Sequence, residues 1–498
     1  MSSPVKSFED IIGSHLSFGK YEKTVVLMLG FIFIADGIEI SALSLILPLL
    51  REEWDISENL QGLMGTMLFL GMFLGSLLAG IFTDRLGRKT TVLYVSLIQF
   101  FVGIYSALVH NVYLFIIVRG VFGFLLGFQV PLVPTLCAEL VPIEIRGKVT
   151  VVVNSLFSVG QFLATLIAYF CLNNLGSGNW RLLLMFCSFP SIIVWYLCYK
   201  FMMESPRYIM LKLDIEKGIE ILNEMVKFNT EKNKKPSCFS MEEDGAKFRK
   251  WVDHVHENHE HDHDRHYLIT FITSLFKDKY IRITICMWIS WFGINFIFYG
   301  LVFILPFFLS EWDKINEIHH TAENGILNLL ITTAGEGASG ILAYFLVETE
   351  TFGRKYSLAL GQIVCSLGCL ISFFISMDHG VILITLLTIG RFFGKMCFAV
   401  IYPFTAEIYP TMLRTQGIGA ASAVGRLATC IMPIITIKIF YLNVYAPFLL
   451  ICGFGIMGLI GTLLLPYDTR GRHLDMHVQI NGKPEDYAEE QPLSACQI

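Results

Sequence analysis

The chain reads DRLGRKT at residues 84–90, directly after a long apolar run, and ETFGRKY at residues 350–356, after a second such run. The two stretches lie 266 residues apart and share a glycine, an arginine and a lysine in the same register. Further residues repeat at an offset of 268, namely Ala138, Glu139 and Arg146 in the first copy and Ala406, Glu407 and Arg414 in the second. One internal repeat therefore covers most of the chain.

The composition is that of a membrane protein. Of the 498 residues, 54% are hydrophobic and 16% are charged, and the mean hydropathy is +0.59. Apolar runs of about 20 residues match a hydrocarbon core about 30 Å thick, and helices are expected because lipid cannot satisfy an open backbone. We predict about twelve spans, at residues 24–47, 60–82, 91–109, 113–137, 150–172, 181–203, 282–309, 325–347, 357–376, 381–406, 416–440 and 443–465.

Two membrane-sized copies of one unit are typical of transporters in which the substrate site lies between related halves. The expected fold is all-α, with about twelve transmembrane helices in two pseudo-symmetric six-helix bundles. The expected divisions are an N-terminal segment at residues 1–23, a first bundle at 24–203, a connecting loop at 204–281, a second bundle at 282–465 and a tail at 466–498.

Cationic residues concentrate in the loops on one side of the predicted spans. They are Arg85, Arg88, Lys89, Arg146, Lys148, Arg354, Lys355 and Arg414. The other side carries the mostly acidic stretch at residues 51–55 and an uncharged loop at 173–179. Because cytoplasmic loops are rich in Lys and Arg, we predict that both termini and the connecting loop are cytoplasmic. The host membrane is either the plasma membrane or that of an intracellular vesicle.

The connecting loop contains a tract in which histidines alternate with acidic residues. The histidines are His254, His256, His259, His261, His263 and His266. Such a tract can bind zinc or copper weakly, or it can be a solvated polar loop. Since nothing fixes a four-ligand tetrahedral geometry, no metal site is predicted.

Ionisable residues inside a membrane span are costly and usually functional. In the first predicted helix Asp36 and Glu39 are three residues apart and share one face, and the fourth helix opposes them with Arg119. A buried carboxylate that faces a buried arginine can exchange its salt bridge for a proton. We therefore predict that Asp36, Glu39 and Arg119 couple transport to protons; the alternative is a static ion pair that sets helix register.

Polar residues at helical spacing mark a candidate substrate site. They are Asn154, Gln161, Trp291, Asn295, Tyr299, Glu336, Lys395 and Arg426. Arg426 lies in the middle of the eleventh predicted helix, where a guanidinium needs either an anionic substrate or a protein carboxylate. Glu336 is the candidate protein partner, and the sequence leaves both alternatives open.

The repeated loop stretch has a different predicted role. Its charged residues can bridge to neighbouring helix ends and hold one face closed in one conformation, which makes them a conformational latch. The candidate residues are Asp84, Arg85, Gly87, Arg88, Lys89, Glu139, Arg146, Arg354, Glu407 and Arg414. The positive charges among the same residues also have a second role, which is to set the orientation of the chain across the membrane.

These motifs resemble those of the major facilitator superfamily. The loop pattern is formed by Gly80, Asp84, Arg85, Gly87, Arg88 and Lys89. The stretches at 204–207 and 466–472 look like signatures of its sugar-porter and organic-ion branches, although Met203 and Tyr467 replace the expected Pro and Glu. Residues 35–39 are similar to the first-helix motif of the synaptic-vesicle-2-related proteins.

The resemblance implies solute transport by alternating access, often linked to protons. Arg426 with Pro433 matches an eleventh-helix arginine of organic-anion and vesicle-protein branches. We therefore expect a secondary active, proton-coupled carrier of a small organic anion, working as a monomer in the bilayer. The proton is the expected coupling ion, and neither a cofactor nor a nucleic-acid partner is expected.

Other functions remain open at this point. One is a carrier of an organic cation, a zwitterion or a sugar-like solute, with Asp36, Glu39 and Glu336 as counter-charges. Another is a non-transporting vesicle or sensor protein that keeps the fold. An enzyme is not expected, because the sequence offers no nucleophile–base set, metal-ligand spacing or nucleotide-binding loop.

Overall fold

The computed structural model describes residues 11–12, 18–141, 143–212, 214–230, 238–260, 275–276, 280–319, 325–349, 352–376, 379–409 and 413–469. Within these ranges only the backbone is described for some residues, Arg146 and residues 254–260 among them. The described part contains 12 helices that are long and apolar enough to cross a membrane. The predicted number of spans and the fold class are therefore confirmed.

Six helices of the first half cross the membrane. They are α1 Lys20–Trp54, α2 Glu58–Leu86, α3 Arg88–Leu108, α4 Val112–Leu140, α5 Ile143–Cys171 and α6 Trp180–Phe201. The closest packing joins α2 to α4, where Gly71 and Gly75 of α2 lie directly against the α4 backbone and Gly123 of α4 lies against the α2 backbone. Small residues on both helices permit this approach, in which dispersion and backbone contacts replace bulky side chains.

The second half repeats this arrangement with one irregular span. Its helices are α10 Ile281–His319, α11 Gly325–Glu336, α12 Ser339–Glu348, α13 Gly353–Phe374, α14 Gly380–Ile408, α15 Arg414–Leu442 and α16 Ala446–Leu463. The eighth span, predicted as one run at 325–347, is broken into α11 and α12 by a turn at Gly337 and Ala338. Two glycines, Gly335 and Gly337, lower the helix propensity at this break.

Other elements also differ from the prediction. A short antiparallel ribbon, β1 Leu172–Asn174 with β2 Ser177–Gly178, interrupts the all-α pattern between α5 and α6. The predicted connecting loop contains two helices after α6, α7 Pro206–Lys212 and α8 Ile215–Asn229, and Asp214 caps the second of them. A third helix in the same connecting loop is α9 Glu243–Glu260.

The membrane-spanning helices end at two faces of the molecule. The motif face carries Arg88 and Arg354, and the opposite face carries Glu52 and Lys314. On the opposite face the halves are joined by the Lys314–Glu52 ion pair, with Nζ and Oε1 3.0 Å apart. The backbone N–H of Leu175 also donates to the Asp313 carboxylate at 3.4 Å. These contacts join one half to the other, so the opposite face is closed in this structure.

Deeper in the same interface α2 packs along α15. Thr66 donates a hydrogen bond to the Cys430 carbonyl at 2.8 Å, and the Tyr441 hydroxyl donates to Gln61 at 3.0 Å. The ring of Phe69 on α2 contacts those of Tyr299 and Phe303 on α10. The interface between the halves therefore runs from the opposite face to the middle of the molecule, where most of the predicted site residues lie.

Candidate functional site

The first half contains a fully buried ion pair between α1 and α4. Arg119 Nη1 lies 3.5 Å from Glu39 Oε2, and both side chains are inaccessible to solvent. Arg119 also donates to Ser106 at 3.0 Å, and Ser188 donates to Glu39 at 3.3 Å. Of the two carboxylates predicted to oppose Arg119, Glu39 makes the ion pair and Asp36 does not.

Asp36 has a different environment. Its side chain is 2% exposed, and neither carboxylate oxygen has a hydrogen-bond partner within the described part of the chain. Its carboxylate interacts electrostatically with the Tyr299 phenol of α10, which belongs to the other half. An unpaired carboxylate in an apolar site is costly when charged. Asp36 is therefore a buried carboxyl group near the interface between the halves.

The second half has its own buried pair. Arg391 of α14 donates to the Glu336 carboxylate at the end of α11, and both side chains are almost completely buried. Glu336 also interacts electrostatically with Lys395, one helical turn after Arg391. The pairing of Glu336 with Arg426, one of the two alternatives left open by the sequence, is therefore not the one found.

Lys395 reaches the interface between the halves. Its Nζ lies 4.6 Å from the ring centroid of Phe157 on α5 and 5.5 Å from that of Phe298 on α10. A cation held over aromatic rings keeps part of the stabilisation that it loses on leaving water. Lys395 therefore contributes a positive charge at the contact between the two halves.

Arg426 of α15 is half-buried near the same interface. Its electrostatic neighbours are the hydroxyls of Tyr402 and Tyr299 and the thiol of Cys430. Among the residues that the structure describes, no carboxylate oxygen lies within ion-pair distance of its guanidinium. Tyr299 thus lies in electrostatic range of both Asp36 and Arg426, which come from opposite halves.

Aromatic and amide groups complete this region. The Trp291 indole donates to Thr405 at 2.9 Å and packs edge-on against Tyr402, with ring centroids 4.7 Å apart. Asn295 donates back to the Trp291 carbonyl at 2.8 Å, on its own helix. Tyr402 was missed by sequence reasoning; its position seven residues after Lys395, on the same face of a helix, was the available signal.

Two predicted residues of α5 lie on the other side of the interface. Gln161 is fully buried, and its side-chain nitrogen and oxygen have no hydrogen-bond partner in the described residues. Asn154 is half-buried two turns earlier. We refer to Asp36, Gln161, Tyr299, Lys395, Tyr402 and Arg426 as the central set.

The motif face holds the predicted latch residues of the first half. Arg88 Nη2 lies 3.3 Å from Glu139 on α4, and Nη1 lies 3.2 Å from Asp84 on α2. Gly87 adopts a positive φ of 92°, which glycine tolerates without strain and which lets the chain turn directly from α2 into α3. The side chain of Arg85 is exposed, while its carbonyl accepts a hydrogen bond from Tyr208 at 3.0 Å.

One carboxylate of this network was not predicted. Glu204, just after α6, accepts from the backbone N–H of Arg88 at 2.8 Å and of Lys89 at 3.1 Å, at the N-terminus of α3. An anion at this end of a helix is stabilised by the free N–H groups and the helix dipole. Burial and the Glu204 carboxylate raise the pKa of the nearby Tyr208 phenol, so its hydroxyl stays protonated.

The second half repeats the network. Arg354 Nε lies 3.0 Å from Glu407 on α14, and Asp468 accepts from the Lys355 N–H at 2.6 Å, near the N-terminus of α13. Thr469 donates to Glu407 at 2.6 Å, a contact that ties the segment after α16 to α14. Glu204 and Asp468 are 264 residues apart, so the repeat itself was the signal that could have found them.

Three predictions fall at or beyond the limits of the described structure. The side chain of Arg146 lies outside the described residues, and Arg414 is the first residue of α15. The side chains of the histidine tract, from His254 to His266, also lie outside them. The role of the tract therefore stays a prediction.

The family described as "Sugar (and other) transporter" matches residues 23–479. The synaptic vesicle 2-related protein of Pongo abelii is 27% identical over 474 residues, covering 92% of this chain and 80% of the relative. The organic cation/carnitine transporter 7 of Arabidopsis thaliana is 25% identical over 499 residues, covering 94% and 96%. A partially occluded, inward-open structure of the xylose transporter XylE from E. coli superposes with a TM-score of 0.68 at 18% identity, covering 90% of this chain and 99% of that one.

Proposed function

The chain belongs to the sugar (and other) transporter family, and from that premise we propose that it carries a small organic anion together with protons by alternating access. The substrate would bind between the halves, at the central set. In this mechanism the opposite face, closed here, opens while the motif face closes, and the bound solute changes sides. Secondary transporters built from two related halves work by such rocking around a fixed site.

The observation that carries the proposal is the state of Arg426. It is a half-buried cation between two bundles with no carboxylate at ion-pair distance among the described residues. A guanidinium at this depth requires a counter-charge, and an anionic solute supplies one with directional hydrogen bonds. Lys395 adds positive potential on the neighbouring helix α14, and Tyr299 and Tyr402 offer hydroxyl groups.

Asp36 supplies the proton site in this mechanism. Its carboxylate is buried without a partner in the described chain and lies in electrostatic range of Tyr299. A proton on Asp36 would remove a negative charge from the region that receives the anion. Protonation and anion binding would then favour one another, which is the thermodynamic basis of symport.

The test is transport by the purified protein in liposomes. Uptake of labelled monocarboxylates is measured with an inward or an absent proton gradient, alongside a quaternary ammonium and a neutral sugar. The proposal expects saturable carboxylate uptake that a proton gradient increases. Uptake of the sugar or the ammonium alone would exclude an anion carrier.

A zwitterion is the second candidate substrate, and the same Asp36 favours it. An unpaired carboxylate on α1 and an unpaired guanidinium on α15 could each take one end of a zwitterion. A relative that is named for organic cations and carnitine fits this class. If Asp36 is a counter-charge, Asp36→Asn would abolish zwitterion binding at every pH, whereas a proton site would lose only the pH dependence.

We further propose that the motif face is cytoplasmic, with both termini on that side, because its loops hold most of the cations. Cysteines introduced at Arg88 and at Leu442, in a cysteine-free background, are labelled with a membrane-impermeant maleimide on intact cells. Labelling at Leu442 but not at Arg88 is expected. The reverse pattern would invert the orientation and the direction of transport.

A further inference from the structure

A cavity lies on the opposite face, away from the central set. Its volume is about 240 Å³, and it is lined by α1 of the first half and by α10 and α15 of the second. A water molecule occupies about 30 Å³ in the liquid, and drug-sized ligands occupy sites of about 300–1,000 Å³. The cavity, which we call the vestibule, therefore has room for a small metabolite.

The vestibule has charged walls of both signs. Its ionisable lining residues are Arg51, Glu52, Asp55, Glu311 and Lys314. Lys314 is paired with two of the carboxylates, at 3.0 Å from Glu52 and 3.1 Å from Glu311. Arg51 and Asp55 make no ion pair with any other residue described here. One cation and one carboxylate therefore remain available to a ligand.

Arg51 is held in a fixed position. Its guanidinium lies 3.6 Å from the ring centroid of Tyr441, so it stacks on an aromatic face. Its Nη1 is buried and has no hydrogen-bond partner within the described residues. The Arg51 side chain also interacts with the Tyr441 hydroxyl, and the unpartnered Nη1 leaves the guanidinium with capacity to bind a carboxylate. Asp55 follows one turn later, is exposed and ends α1 in a left-handed conformation, with φ 45°.

The charge pattern discriminates between ligand classes. A simple anion at Arg51 would be close to the carboxylates of Glu52 and Asp55, and a simple cation at Asp55 would be close to Arg51 and Lys314. A molecule with a carboxylate at one end and an ammonium at the other satisfies both unpaired groups. Charge-assisted hydrogen bonds at both ends are about twice as strong as neutral ones.

We propose that the vestibule is a binding site for a small zwitterion, separate from the central set, and that its occupant holds the opposite face closed. The carboxylate of the ligand binds Arg51, and its ammonium binds Asp55. Both anchoring residues belong to the end of α1, and Arg51 stacks on Tyr441 of α15, so a ligand bound to Arg51 fixes this contact between the halves beside the Lys314–Glu52 pair. A ligand that binds only this closed arrangement shifts the population toward it.

The test uses the purified full-length protein and three probes: β-alanine, propionate, which keeps only its carboxylate, and propylammonium, which keeps only its ammonium. Calorimetric titration should give β-alanine an affinity at least about tenfold higher than that of either singly charged probe, the equivalent of one charged hydrogen bond. Arg51→Gln and Asp55→Asn should each lower β-alanine affinity by roughly tenfold or more. Glu58→Gln, which removes a charge on the same face outside the vestibule, should not.

A second measurement tests the bridging role. Hydrogen exchange followed by mass spectrometry should show that β-alanine slows exchange at both residues 48–58 and residues 307–316. Protection of only one helix end would overturn the bridging role. Equal affinities for β-alanine and propionate, or β-alanine binding that Arg426→Ala removes and Arg51→Gln leaves intact, would overturn the site. Asp55 is exposed, so its variant keeps the test decisive if Arg51→Gln fails to fold.

Discussion

The two halves are alike at the motif face and unlike in the membrane interior. At the motif face, Arg88 with Glu139 in one half matches Arg354 with Glu407 in the other. In the interior, Glu39 of the first helix pairs with Arg119 in one half, whereas Glu336 of the eighth span pairs with Arg391 in the other. Both arginines lie on the fourth helix of their half, but their partners come from non-equivalent helices.

This difference separates two kinds of work. The proposed latch would act on both halves, and its charges are present in both copies. The proposed site needs no such symmetry, because the two halves would bind different parts of an asymmetric solute. Asp36 and Gln161 come from the first half, and Arg426 and Lys395 from the second.

The largest effect is expected from breaking an interior pair. Glu39→Gln leaves Arg119 buried without a counter-charge, and removing one partner of a buried pair costs about 3–5 kcal/mol. Asp36→Asn changes the same helix one turn away but removes a carboxylate that has no partner in the described chain. The melting temperature of Glu39→Gln should fall strongly, and that of Asp36→Asn should stay or rise. Equal losses in the two variants would contradict this division of roles.

The next effect concerns Arg426. Arg426→Ala should reduce anion affinity by one or two charge-assisted hydrogen bonds, about 1.5–3 kcal/mol each, and Arg426→Asp should move preference toward cations. Because Glu336 is paired with Arg391, adding Glu336→Gln to Arg426→Ala should lower stability further. The measurements are melting temperature and anion binding on single and double variants. A double variant that regained stability, with its selectivity unchanged, would show that Arg426 has a structural role and does not bind the solute.

A smaller effect is expected on proton coupling. One proton per solute adds about 1.4 kcal/mol of driving force, or a tenfold accumulation, for each pH unit across the membrane. Asp36→Asn should lose this dependence but keep counterflow exchange of labelled for unlabelled anion. Uptake is measured at several pH gradients. If the mutant kept the full gradient dependence, the proton site would move to Glu39, which is next on the same helix face.

Much of the fold was predictable because its causes are local. The length of an apolar run predicts a membrane span, and the repetition of the pattern at residues 84–90 in residues 350–356 predicts two related halves. The break between α11 and α12 was not predicted, because Gly337 lies in an apolar run that is long enough for one helix. Its position depends on tertiary packing, which orders Glu336 against Arg391 on another helix.

The site was predictable as a set of residues but not as a set of pairs. Asp36 and Glu39 are three residues apart on one helix face, so the sequence cannot tell which of them reaches Arg119. The packing of α1 against α4 and α6 decides for Glu39, where Ser188 also donates to it. For Glu336 the sequence named only Arg426 as a possible protein partner, and the structure pairs it with Arg391 of α14 instead.

The smallest effect is expected at the motif face, where the two copies can be compared directly. Arg88 is 14% exposed and Arg354 is 16% exposed, and ion pairs with access to solvent contribute about 0–1 kcal/mol. Arg88→Ala and Arg354→Ala should therefore lower stability only slightly and leave solute binding intact. Each should slow transport, because the charges bias the equilibrium between conformations rather than contact the solute. Arg85 was also predicted as a latch residue, but its side chain is exposed and only its carbonyl makes a hydrogen bond, so Arg85→Ala is the matched control and should transport normally. Binding affinity and initial rate are measured on all three variants.

The two copies should also differ from one another. Since Thr469 adds a hydrogen bond to Glu407, the second copy retains one more contact when its arginine is lost, so the rate should fall less for Arg354→Ala than for Arg88→Ala. Loss of solute binding in either arginine variant, with the fold intact, would place Arg88 or Arg354 in the solute site and would contradict the distinction between the motif face and the interior.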